Sequence, residues 1–160
     1  MSAIQFNVAI VDDEREDIAE IIGLLQSIRG ITARHFFGYD EFGKDHTSII
    51  AASSAFDLLV LDVYMQENDS SEFLEFASTI RGLRPFIAYT RLRKGDPIMV
   101  GHHRFEELHK LVVERGGLGL VTKVSYNSRG PDHDARRDRE YELVERVINY
   151  YWLWRVAKGL

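Results

Sequence analysis

Four short apolar runs constrain this chain more than any other feature. Each ends in a residue able to handle phosphate or a divalent cation. Val8-Ala9-Ile10-Val11 leads into Asp12-Asp13, and Leu58-Leu59-Val60-Leu61 into Asp62. Phe86-Ile87-Ala88-Tyr89 leads into Thr90, and Leu118-Gly119-Leu120-Val121-Thr122 into Lys123. Runs this short, rich in branched residues and without polar alternation, suit strands buried on both faces of a parallel sheet. A parallel sheet needs a crossover between successive strands, and a helix is the usual one.

The intervening segments carry helical spacing. Ile18, Ile21, Ile22, Leu25 and Ile28 fit a first helix that Gly30 stops, and Asp13-Glu14-Arg15-Glu16 has the D-x-x-E form of a capping box at its start. A second strand is expected from Ile31 to about Tyr39, then a weaker helix from near Asp40 to about Ser53. Asp69-Ser70-Ser71-Glu72 offers another capping box, ahead of a helix whose apolar face is Phe73, Leu74, Phe76, Ala77 and Ile80. Phe105, Leu108, Leu111 and Val112 mark a further helix, ended by Gly116-Gly117. Loops are expected over 91–101 and about 124–134, followed by a long helix over about 136–158. Five strands alternating with five helices predict an α/β fold with helices on both faces of the sheet. The whole of 1–160 is expected to form one domain, with its core over about 5–125.

Composition narrows the function classes. The 25 acidic against 20 basic residues give a net charge of −5, which argues against a general nucleic-acid binder. The chain has no cysteine, so disulfides and thiolate metal sites are excluded. The N-terminus lacks the basic and apolar regions of a secretion signal, and Glu145, Arg146, Asn149 and Arg155 interrupt the C-terminal apolar segment. No membrane association and a cytoplasmic location are the expectations.

In an open α/β sheet the binding crevice lies beyond the carboxyl ends of the strands. Asp12, Asp13, Asp62, Thr90 and Lys123 should therefore converge. Clustered aspartates suit Mg²⁺, a hard cation that takes oxygen ligands. A carboxylate such as Asp62 can attack phosphorus to form an aspartyl phosphate. The remaining groups would position the phosphoryl group and neutralise its charge.

With these residues in this order, the chain resembles the response-regulator receiver family of two-component signalling. The motifs are Val8 to Asp13, Asp57 to Asp62 with Met65 three residues on, Thr90, and Val121-Thr122-Lys123. The resemblance implies a flavodoxin-like, doubly wound sheet of order 2-1-3-4-5. It implies that Asp62 accepts a phosphoryl group from a histidine kinase or phosphotransfer protein, and that output passes through protein association. Mg²⁺ would be held by Asp13, Asp62 and the backbone carbonyl of Tyr64, with Asp12 acting directly or through water. Thr90 and Lys123 would contact the phosphoryl oxygens. Catalysis would be limited to Mg²⁺-dependent self-phosphorylation and dephosphorylation.

Several positions depart from the family pattern. Arg91 replaces a small residue, Val124 a proline after the lysine, Gln66 a frequent proline, and Leu120 an aromatic switch residue. The stretch from Thr90 to Lys123 is also longer than usual. A pseudo-receiver, acting as a phosphorylation-independent interaction or dimerisation module, is the alternative. A haloacid-dehalogenase-like phosphatase would need an aspartate two residues after the nucleophile, where Tyr64 stands.

Other clusters are better explained by solvation. His102, His103 and His109 lack metal-ligand spacing. The bases Arg91, Arg93, Lys94, Arg136, Arg137 and Arg139 are interspersed with acids. In the last helix Val144, Val147, Ile148 and Tyr151 should face the sheet. Tyr150, Trp152, Leu153 and Trp154 add apolar bulk around the remaining circumference, which predicts an interface, a homodimer in the first instance.

Overall fold

A computed structural model describes residues 3–65, 69–90, 103–123 and 131–160, with the backbone alone at 17 and 131–141. Five strands, β1 (Phe6–Val11), β2 (Ile31–Phe36), β3 (Leu58–Asp62), β4 (Phe86–Thr90) and β5 (Gly117–Thr122), form one sheet in the order β2-β1-β3-β4-β5. Every pairing is parallel. The central strands are buried along nearly their whole length, β3 and β4 at every residue, as their unbroken apolar runs require.

Among the described residues six helices accompany the strands: α1 (Arg15–Gln26), α2 (Tyr39–Phe42), α3 (His46–Ser53), α4 (Ser71–Ile80), α5 (Phe105–Glu114) and α6 (Pro131–Lys158). Strand alternation splits the core into two layers. On one side Phe6, Val8 and Ile10 of β1 meet Ile18, Ile21 and Leu25 of α1 and Leu143, Val144, Val147 and Tyr151 of α6. On the other, Ala9, Leu59, Leu61 and Ala88 meet Phe42, Phe73, Phe76, Ile80, Leu108 and Val112 from α2, α4 and α5.

Several local expectations are corrected. The single helix expected after β2 is two, because Gly43 is extended and Asp45 starts α3 afresh; Asp45 Oδ1 accepts from Ser48 N at 2.7 Å while Asp45 N donates to Ser48 Oγ at 3.0 Å. The expected capping boxes do not form. Asp12, not Asp13, takes the amide of Glu14 at 2.9 Å, and Asp69 takes the amide of Ser71 at 2.9 Å without a return bond from Glu72. β2 ends at Phe36, three residues before Tyr39, and α6 begins at Pro131 rather than near Arg136. Proline suits a first helical turn, since its missing N–H has no partner to lose there.

The last helix is tied down at the amino end of the sheet. Phe6 sits 5.5 Å from the Tyr151 ring and 5.1 Å from that of Trp154. The Tyr151 hydroxyl donates to the Arg29 carbonyl at 3.2 Å and accepts from Arg155 at 3.0 Å. Gly30 makes this approach possible. Its φ of +96° disfavours other residues, and a Cβ there would lie 2.6 Å from the Tyr151 hydroxyl.

Candidate functional site

The site grows from the carboxyl ends of four strands. Asp12 follows β1, Asp62 closes β3, Thr90 closes β4, and Lys123 follows β5. All four are buried, at no more than 3% exposure, whereas Asp13 is half-buried. Strand pairing fixes their relative heights. Asp62 stands opposite Tyr89, one residue short of Thr90, and Thr90 stands opposite Thr122, one short of Lys123. The Thr90 carbonyl accepts from the Lys123 amide at 2.6 Å, which pins the lysine to the end of β4.

Lys123 is the electrostatic centre. Its Nζ lies 2.7 Å from Asp12 Oδ2, 3.4 Å from Asp62 Oδ1 and 3.9 Å from Glu14 Oε1. It also lies 5.3 Å from the centre of the Tyr89 ring, whose negative face favours a cation. Carboxylate oxygens of Asp12, Asp13 and Asp62 all fall within 4.8 Å of one another. Burial raises the Asp62 carboxyl to about 7; Lys123 opposes the rise, while Asp12 and Asp13 add to it. Asp12 is also raised by burial, again against the pull of Lys123. One buried ammonium thus serves more negative charge than it can balance. An all-oxygen donor set with surplus negative charge fits a hard divalent cation.

Tyr64 occupies the turn after β3, and its hydroxyl accepts from the His103 amide at 3.1 Å just before α5. Leu120, where the sequence resemblance leads us to expect an aromatic residue, is an aliphatic side chain buried in the layer that also holds Leu108 and Val112. Arg91, Gln66, Val124, His102 and the 91–101 loop lie outside the described residues. Among the described residues, His103 and His109 join no metal-ligand cluster.

Two further residues, which no sequence motif marks, brace the pocket from β2 and α2. His35 Nε2 lies 2.6 Å from the backbone carbonyl of Asp12; a carbonyl only accepts, so this nitrogen carries the proton. The Tyr39 hydroxyl donates to the backbone carbonyl of Asp62 at 2.6 Å. Burial, reinforced by Asp62, Glu72 and Asp12, holds that hydroxyl protonated well above the ordinary phenol range. Each contact spans 23 residues of chain, so no local spacing announces it.

Neither a family model nor a curated protein matches the sequence. Solved structures do. The response regulator domain of Thermotoga maritima CheB aligns with a TM-score of 0.58 at 15% identity, covering 91% of this chain and 95% of that one. Response regulator DrrB of Thermotoga maritima, an OmpR/PhoB homolog, aligns with a TM-score of 0.62 at 19% identity, over 92% of this chain and 53% of that one. CheY in a CheX–CheY–BeF3–Mg²⁺ complex from Borrelia burgdorferi aligns with a TM-score of 0.54 at 18% identity, over 92% and 90%. Identities this low establish architecture alone. The chain has the fold of response-regulator receiver domains, with an acidic cluster and a buried lysine at the carboxyl end of its sheet.

Proposed function

We propose that the chain is a signalling receiver that accepts a phosphoryl group on Asp62 from a histidine kinase or phosphotransfer protein and signals by protein association. The observation that carries this reading is the buried Asp62 carboxylate, with Lys123 Nζ at 3.4 Å and the oxygens of Asp12 and Asp13 within 4.8 Å. A carboxylate oxygen of Asp62 would form the new O–P bond as the N–P bond of a phosphorylated imidazole breaks. The imidazole nitrogen keeps the electron pair of that bond.

Asp12, Asp13, Asp62 and the Tyr64 carbonyl are the groups that would hold Mg²⁺. Bound there, Mg²⁺ would offset the repulsion among the carboxylates and the charge on the phosphoryl oxygens. Lys123 Nζ already lies 3.4 Å from one carboxylate oxygen of Asp62, and its 2.7 Å contact with Asp12 holds the ammonium at the pocket. Thr90, at the end of the neighbouring strand, is the hydroxyl assigned to the phosphoryl oxygens. The beryllofluoride and Mg²⁺ named for the Borrelia CheY complex support the same chemistry here.

Intact mass after incubation with Mg²⁺ and a small phosphodonor tests the reading. The wild type should gain one phosphoryl group and Asp62→Asn none. If the wild type gains none, the phosphorylation reading fails, and the pseudo-receiver, a phosphorylation-independent module, takes its place.

The surface of α6 favours association under either reading. Trp152 is 55% exposed, Leu153 67% and Val156 76%, on a helix whose other side is already buried. Tyr150 and Trp154 are only half-buried but pack on Phe6, so the interface expected from the sequence contracts to Trp152 and Leu153 and gains Val156. A homodimer through this strip should fall to monomer mass by light scattering in a Trp152→Glu, Leu153→Glu variant. A wild type that is itself monomeric at high concentration excludes the homodimer.

A further inference from the structure

Asp12 and Asp62 are each held twice. Their carboxylates meet Lys123, while their backbone carbonyls meet two ring side chains from a single five-residue corner between β2 and α2. His35 takes the Asp12 carbonyl and Tyr39 the Asp62 carbonyl, each at 2.6 Å. The corner itself is well anchored. Asp12 N donates to the Phe36 carbonyl at 3.0 Å, continuing the β1–β2 ladder up to the pocket. The Tyr39 ring is 3% exposed and lies 4.7 Å from that of Phe76 on α4. The His35 ring stands 4.2 Å from that of Phe37.

We propose that this corner is a positioning element of the phosphoacceptor site, with Tyr39 and His35 fixing the peptide planes from which Asp62 and Asp12 project. The proposal rests on the reading of Asp62 as phosphoacceptor. Asp62 ends β3, and the chain turns at once through Val63 towards Tyr64. A strand end has lost the ladder on its far side, so the orientation of the last peptide depends on whatever else holds it. The Tyr39 hydroxyl reaches that peptide from the α2–α4 layer, whereas strand alternation directs the Asp62 carboxylate to the α1–α6 side. The nucleophile is thereby gripped from both layers of the core. His35 reaches the carbonyl of the first acid from the outer strand, on the same side of the sheet as the Asp12 carboxylate.

Neither residue touches the reacting atoms, so both act through the aspartates. The cost of their loss should fall on reaction geometry, to which in-line attack on phosphorus is sensitive.

Single-turnover phosphorylation, at saturating Mg²⁺ and phosphodonor, tests this in wild type, Tyr39→Phe, His35→Leu and Phe42→Leu. Phe42 belongs to the same layer as Tyr39 but has no donor to offer either carbonyl, so Phe42→Leu reports loosened packing alone. Tyr39→Phe should slow phosphoryl incorporation about ten-fold and His35→Leu by roughly half that factor. Both should shift the carbonyl ¹³C resonance of the aspartate they brace. Phe42→Leu should lower Tm yet leave the rate within about two-fold of wild type. If the wild type is phosphorylated and Tyr39→Phe and His35→Leu match its rate, the brace is overturned and the phosphoacceptor stands. The brace is likewise overturned if Phe42→Leu slows the reaction as much as they do, since packing then explains the loss. If the wild type never gains a phosphoryl group, the phosphoacceptor reading falls and takes the brace with it. Should Tyr39→Phe not fold, His35→Leu decides, because it leaves the buried hydroxyl in place.

Discussion

The two ends of the sheet are built from the same strands and do opposite things with them. β1 begins at Phe6, fully buried among Tyr150, Tyr151 and Trp154, and runs into Asp12, buried against Lys123. At the amino end, burial removes apolar surface from water and every ring adds stability. At the carboxyl end, burial strips water from Asp12 and Asp62, and one lysine only partly compensates. The contrast separates the end of the sheet that holds the fold together from the end that concentrates incompletely balanced charge.

The largest effect expected from that contrast is at Phe6. Phe6→Ala should cost about 3–5 kcal/mol of unfolding free energy in a urea titration, since the cavity would open between β1 and α6. A cost below about 1 kcal/mol would mean that the aromatic cluster does not anchor the helix.

The carboxyl end should respond to protons instead. Asp62 ordinarily titrates near 3.8 but is pushed up to about 7 in the folded chain. Between those values the native state binds more protons than the unfolded state, so stability falls as pH rises through the window, and the loss is complete above the folded value. Without divalent cations, Tm should therefore be lower at pH 8 than at pH 5. Asp62→Asn should flatten that slope, and added Mg²⁺ should raise Tm at pH 8 more than at pH 5. A slope that survives Asp62→Asn unchanged would assign it to other groups.

The smallest effect sharpens the comparison at the amino end. Tyr151→Phe removes the hydroxyl that joins Arg29 and Arg155 but keeps the ring against Phe6. It should cost only about 0.5–1.5 kcal/mol by the same titration, and at pH 5 and pH 8 alike.

The strand ends were legible in the sequence because two-sided burial leaves a plain trace: apolar runs such as Leu58 to Leu61, broken by a single charge. Asp12, Asp62, Thr90 and Lys123 follow from that trace and from the rule for parallel sheets. Helix starts were less legible, because the D-x-x-E template tests only spacing. It accepts Asp13 and Asp69, where other bonds win, and passes over Asp45, whose reciprocal partner is Ser48 rather than an acid. The aromatic content of the last helix was visible but its division was not. Tyr150 and Trp154 turn inward only because Phe6 lies beneath them, a fact of tertiary packing. His35 and Tyr39 were illegible for the same reason. A ring bound to a distant backbone carbonyl has no period.

The placement of the aromatic rings also equips the molecule with an internal optical probe. Its two tryptophans, Trp152 and Trp154, lie close together on α6, one 55% exposed and the other packed on Phe6. Phe6 and Asp12 lie at opposite ends of β1, a separation of roughly 20 Å at strand rise. Neither indole can sense an event at the aspartates directly. Any change in tryptophan emission on adding Mg²⁺ or a phosphodonor would therefore measure how far a local event travels through the sheet, and acrylamide quenching would tell which of the two indoles received it.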